Sequence, residues 1–133
     1  MDMNSTFTPS VALAVEQIKL NFPSCDLQVT PDGNGGGWFM LQKVVLGEPY
    51  ANELIWMGGD LSAQLPYADL YPVFVSAELR RVDGKPLGEA IAQNANFHGL
   101  VAVQISRRSN HRDAKLENPA IKLRKVLSWL KSR

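Results

Sequence analysis

The sequence predicts an α+β fold: an N-terminal helix, an antiparallel four-stranded meander, an irregular segment and a C-terminal helix, in one domain covering residues 1–133. Three observations predict it. Apolar residues recur at helical spacing near both ends, Val11, Val15, Ile18 and Phe22 at one and Leu123, Val126, Leu127 and Leu130 at the other. Between them, short β-branched and aromatic runs are separated by glycine- and proline-rich turn signals. A cap-plus-proline pair, Thr8-Pro9 or Asn118-Pro119, heads each periodic stretch; proline's fixed φ and missing amide suit a first helical turn.

The first helix runs to Pro23. Leu27 and Val29 alternate with polar residues as a strand does, and PDGNGGG is a hairpin turn leading into a second strand, WFMLQKVVL. A turn at Gly47, Glu48 and Pro49 precedes a third strand, Glu53 to Met57. The fourth, Tyr71 to Ser76, follows LPYADLYP. Proline gives no amide to a ladder, so this stretch reads as a rigid strand entrance in which Pro72 fixes the approach and the tyrosine rings cover the core edge. Residues 82–96 carry turn chemistry and at most one helical turn. Phe97 to Ile105 suits a short strand or a buried irregular segment. After the polar loop SRRSNHRDAK comes the second helix, with Lys122, Arg124, Lys125 and Lys131 mostly off its apolar face. A core position is the simplest expectation for Trp38, Trp56 and Trp129.

Composition narrows the function. With 45% apolar and 20% charged residues the chain is an ordinary folded domain, and 14 basic against 13 acidic side chains leave a net charge of +1. Such a field draws neither nucleic acid nor an acidic membrane. No apolar run approaches the roughly 18 residues needed to span a bilayer, and MDMNSTFTPS lacks the basic and apolar regions of a signal peptide. These features and the single cysteine predict a cytoplasmic protein without an internal disulfide.

Few motifs carry chemistry. The glycines of DGNGGG open into a strand and lack the lysine of a phosphate loop, so no nucleotide cofactor is expected. Cys25 falls beyond a helix C-terminus, the wrong end of the dipole for a reactive thiolate. His98 and His111 have no close ligand pair, and no metal is expected. Asp83 and Glu89, the best acid candidates, flank a turn. SRRSNHR, residues 106–112, is the densest basic cluster and could hold a phosphate, a carboxylate or an acidic partner. It lacks the interleaved aromatics of a single-strand binder, which argues against nucleic acid.

The order of elements resembles the ubiquitin-conjugating-enzyme-like superfamily. LPYADLYPVFV, residues 65–75, is similar to its YPxxPP-type segment around the fourth strand, with Tyr67 or Tyr71 and Pro72 in the corresponding places. Ser106, Arg107, Arg108 and KLRKVLSWL, residues 122–130, resemble the closing segment of the bacterial branch. Conjugating enzymes carry a cysteine in the irregular stretch after the fourth strand, whereas Ala77 to Ile105 has none, and Asn96, Phe97 and His98 only loosely echo the histidine-proline-asparagine signature. The resemblance therefore implies a non-catalytic interaction domain of a bacterial ubiquitin-like pathway. Its partner would be a ubiquitin-like protein or an associated activating enzyme or peptidase. Tyr67, Tyr71, Asn96, His98, Ser106, Arg107, Arg108, Asn110 and His111 are the candidate binding residues. Two alternatives stand beside it: a small enzyme using His98 or His111 with a nearby acid, and a nucleic-acid binder using the basic loop.

Overall fold

The computed structural model describes residues 6–108, 113 and 117–132. The elements are α1 (Pro9–Asn21), β1 (Asp26–Pro31), β2 (Gly37–Val45), β3 (Leu54–Leu61), β4 (Val73–Ser76), β5 (Ile91–Phe97), β6 (Leu100–Ile105) and α2 (Pro119–Lys131). The strands form one antiparallel sheet of six, in the order β1-β2-β3-β4-β6-β5. Among the described residues no helix is long and apolar enough to cross a membrane.

Both helices begin where capping chemistry places them. The Thr8 hydroxyl accepts from the Val11 amide at 3.2 Å, and the Asn118 side-chain oxygen accepts from the Ile121 amide at 3.0 Å. Val11, Ala14 and Ile18 of α1 and Ala120, Leu123, Val126 and Leu130 of α2 pack in one core with Phe39, Leu41, Ile55, Met57, Val75, Val103 and Ile105. The helices thus cover one face of the sheet. Arg124 of α2 donates to the Asn21 carbonyl at 2.9 Å and to its side chain at 3.1 Å, tying α2 to the end of α1.

The sheet corrects the expected four-stranded meander in two places. First, β3 continues past Met57 through Gly58 and Gly59 to Leu61. Glycine weakens a strand and reads as its end, but here neighbours on both faces need the missing side chains. A Cβ on Gly58 would lie 2.8 Å from the Phe97 ring, and one on Gly59 would lie 2.6 Å from Leu70. Second, residues 91–97 are a strand, β5, paired with β6 in a hairpin. Its alternation is hidden because the register shifts between Ala92 and Ala95, where Asn94 takes a φ of 60°. Only pairing to β6 makes this asparagine-rich run extended.

That hairpin curls over the second face of the sheet. Four strand spacings separate β2 from β5, roughly 19 Å across a flat sheet, yet the Trp38 and Phe97 rings lie 5.6 Å apart. Phe97 sits on Gly58 and packs with Phe74, Ala102, Trp38, Met40 and Trp56 as a second apolar cluster. None of the three tryptophans is fully buried: Trp38 and Trp56 edge this cluster, and Trp129 flanks the first core. In the segment before β4, Leu65 and Leu70 enter the core while Tyr67 is 83% exposed, so leucines rather than tyrosines cover the core edge there.

Gly58→Ala is expected to lower stability by about 1–3 kcal/mol, the usual cost of overpacking. The Phe39 carbonyl, 2.7 Å from the added carbon, and the Phe97 ring would both have to move. Urea unfolding followed by tryptophan fluorescence measures it; an unchanged midpoint would mean that the Phe97 contact does not hold the hairpin.

Candidate functional site

Two groups of polar and aromatic residues are assembled, and Tyr71, Arg107 and Arg108 fall in one and Asn96 and His98 in the other. The first lies where the segment before β4, the exit of β6 and α2 meet. Lys122 is only 5% exposed, contrary to its expected place off the apolar face of α2. Its ammonium donates to the Asp69 carboxylate at 3.0 Å and to the Arg107 carbonyl at 2.6 Å. A buried ammonium needs such partners, and here they come from two segments distant in the chain. The backbone at Arg107 is thereby fixed. From it the Arg107 guanidinium lies 4.7 Å over the Trp129 ring, and that of Arg108 lies 4.0 Å over Tyr71. Both arginines are exposed and Tyr71 is half-buried beneath its partner.

The second group lies at the tip of the β5–β6 hairpin. His98 takes a φ of 49° in the two-residue turn with Gly99, whose amide donates to the Asn96 side chain at 3.1 Å. The His98 ring stacks on Trp38, centroids 4.3 Å apart at 11°, and meets the Phe97 ring edge-on at 4.7 Å. Its Nε2 lies 2.8 Å from the Asp60 carboxylate of β3. In the neutral ring Nε2–H donates to Asp60, which leaves Nδ1 as an acceptor. This is a dyad oriented by a carboxylate and an aromatic face, a geometry able to take a proton from a water or hydroxyl.

The remaining described candidates are structural in their contacts. Ser106 accepts from the Gln104 side chain at 3.2 Å, and its amide donates to the Ala90 carbonyl at 2.8 Å. Asn110 and His111 lie outside the described residues. Asp83 is held by the Arg81 fork at 3.1 and 3.2 Å and by the Lys85 amide at 2.9 Å, which together keep its carboxyl below the usual carboxylate range. Cys25 lies beyond α1, with its thiol directed to the Lys43 carbonyl at 3.4 Å. Burial, and then the neighbouring Asp26 charge, push that thiol up. Among the described residues no three histidine, cysteine or acidic side chains gather as a metal site.

Sequence reasoning missed Asp60, Trp38, Asp69 and Lys122 as members of these groups. Asp60 stands 38 positions from His98, and no local pattern links the two. Trp129 carried a signal, as part of the KLRKVLSWL resemblance, but not its contact with Arg107. Compared with family models, curated proteins and solved structures, the chain finds no match.

A raised thiol pKa means less thiolate at any given pH. Cys25 is expected to react with a disulfide reagent such as Ellman's more slowly than free cysteine at neutral pH, the gap closing as pH rises. Stopped-flow absorbance measures this, and a rate above that of free cysteine would show an activated thiol.

Proposed function

We propose that this chain is a non-catalytic interaction domain that binds a partner protein through Tyr67, Tyr71, Arg107 and Arg108. The partner class is a ubiquitin-like protein, or an activating enzyme or peptidase that works on one. One observation carries the choice of surface: both arginines are exposed yet already held, each guanidinium face on an aromatic ring. Stacking uses the π face and leaves the in-plane N–H donors for carboxylates. It also removes part of the ordering cost of roughly 0.5–1.5 kcal/mol for each side chain immobilised on binding. Arginine and tyrosine are residue types that anchor protein interfaces, and Tyr67, four residues before Tyr71, is 83% exposed.

The partner class is supported by the sequence resemblance at residues 65–75 and 106–130. The place of the irregular stretch is taken by the β5–β6 hairpin and its approach, and residues 77–105 hold no cysteine for a thioester. A binding role therefore fits this chain better than transfer.

Calorimetric titration with a bacterial ubiquitin-like protein tests the proposal. The wild type is expected to bind, and Arg107→Ala/Arg108→Ala to bind at least about 10-fold more weakly, while two exposed cation–π contacts cost only about 1–2 kcal/mol of stability. Equal binding by the double variant would remove the surface, and no binding by the wild type would remove the ubiquitin-like protein as its direct partner. A much larger stability loss would make the arginines structural.

The His98–Asp60 geometry favours a second reading, a small hydrolytic enzyme with His98 as general base and Asp60 orienting it. The pair is exposed, with side-chain accessibilities of 37% and 62%, so it contributes little to stability and can be altered cleanly. On this reading the wild type cleaves activated esters, and His98→Ala and Asp60→Ala each lower the rate at least about 100-fold, the usual range of general-base catalysis. A rate unchanged in both variants would sink it.

A further inference from the structure

The segment joining β4 to β5 and the start of β5 line an open cavity of about 590 Å3 that neither reading uses. Its size falls within the roughly 300–1,000 Å3 of small-molecule sites. Part of its lining is basic, from Arg80, Arg81 and Lys85. Arg81 is committed to Asp83. Among the described residues the side chains of Arg80 and Lys85 have no ion-pair or hydrogen-bond partner. Of the acids nearby, Asp83 pairs with Arg81 and accepts from the Lys85 amide, its charge also reaching the Lys85 side chain, while Glu78 and Glu89 do not line the cavity. Leu79 and Leu87, both buried, and Ile91, half-buried, give it an apolar lining as well. Gly88 at φ 97° brings bare backbone to the wall, and its amide has no acceptor among the described residues.

We propose that this cavity binds a phosphate monoester, its phosphate held by Arg80 and Lys85 and its organic group laid on Leu79, Leu87 and Ile91. Two cations outside any ion pair among the described residues match the charge of such an ester, about −1.5 to −2 at neutral pH. The arginine fork matches two phosphate oxygens, and lysine adds a point charge. The apolar lining distinguishes an organic ester from the free ion.

Adenosine 5′-monophosphate, adenosine and inorganic phosphate are the probes, titrated into the full chain and followed by calorimetry and amide chemical shifts. The monophosphate is expected to bind at least about 10-fold more tightly than either of the others, since it alone meets both the basic and the apolar lining, with shifts concentrated in residues 79–93. Arg80→Ala/Lys85→Ala is expected to weaken it at least about 10-fold, through loss of two charge-assisted contacts. Both positions are exposed, so the fold should persist; Lys85→Glu, which reverses one charge, is the second variant and should weaken binding further than neutralisation of Lys85 alone. No binding of the monophosphate at millimolar concentration would overturn the site. So would an affinity matched by adenosine or by inorganic phosphate, or one unchanged in both variants.

Discussion

The Phe97 ring resting on Gly58 is the contact from which the second face of the sheet is built. A single methyl group on Gly58 would fall 2.8 Å from that ring, so the hairpin can close over β3 only because the residue there is glycine. Once seated, Phe97 gathers Trp38, Trp56 and Phe74, at centroid distances of 5.6, 6.0 and 4.7 Å. Each such pair contributes about 0.5–1.5 kcal/mol beyond its burial. The same closure carries His98, one residue further on, to Asp60 and Trp38. Gly59 repeats the device on the opposite face, where Leu70 takes the space. Two adjacent glycines therefore anchor the hairpin tip on one side and the proline-rich segment on the other.

A second tie, Lys122 with Asp69 and the Arg107 carbonyl, organises the basic surface. An ammonium withdrawn from water is costly unless its hydrogen bonds are met, and these partners belong to the segment before β4 and the exit of β6. The arginine stacking follows from that placement. Polar chemistry thus positions exposed residues, while apolar packing of α1 and α2 provides the platform. The two candidate sites are independent in construction, one depending on the hairpin and the other on α2. The cavity between β4 and β5 shares the start of β5 with the hairpin and is lined by no residue of α2.

Much of the fold was legible because its signals are local. Thr8-Pro9 and Asn118-Pro119 cap and start helices through atoms within three residues, and Asp32 closes the β1–β2 turn with bonds of 2.6 Å to the Asn34 amide and 3.2 Å to the Gly36 amide. The glycines of β3 and the asparagines of β5 misled for the same reason in reverse. Their roles are met by partners 39 positions away for Gly58 and Phe97, and by a bulge whose register β6 fixes. Of the candidate binding residues, Tyr71, Arg107 and Arg108 could be grouped from the resemblance, but not which ring each arginine stacks on.

By itself the sequence determined an α+β chain with capped amphipathic helices at its ends and a glycine-rich hairpin early in the sheet, because capping, periodicity and turn chemistry act over a few residues. Only the tertiary structure decided that the sheet has six strands, that His98 faces Asp60, that Lys122 is buried and that the arginines lie on aromatic rings. Each of these is a contact between segments far apart in the chain, where side-chain volume and the need to pair a buried charge, rather than local propensity, select the arrangement.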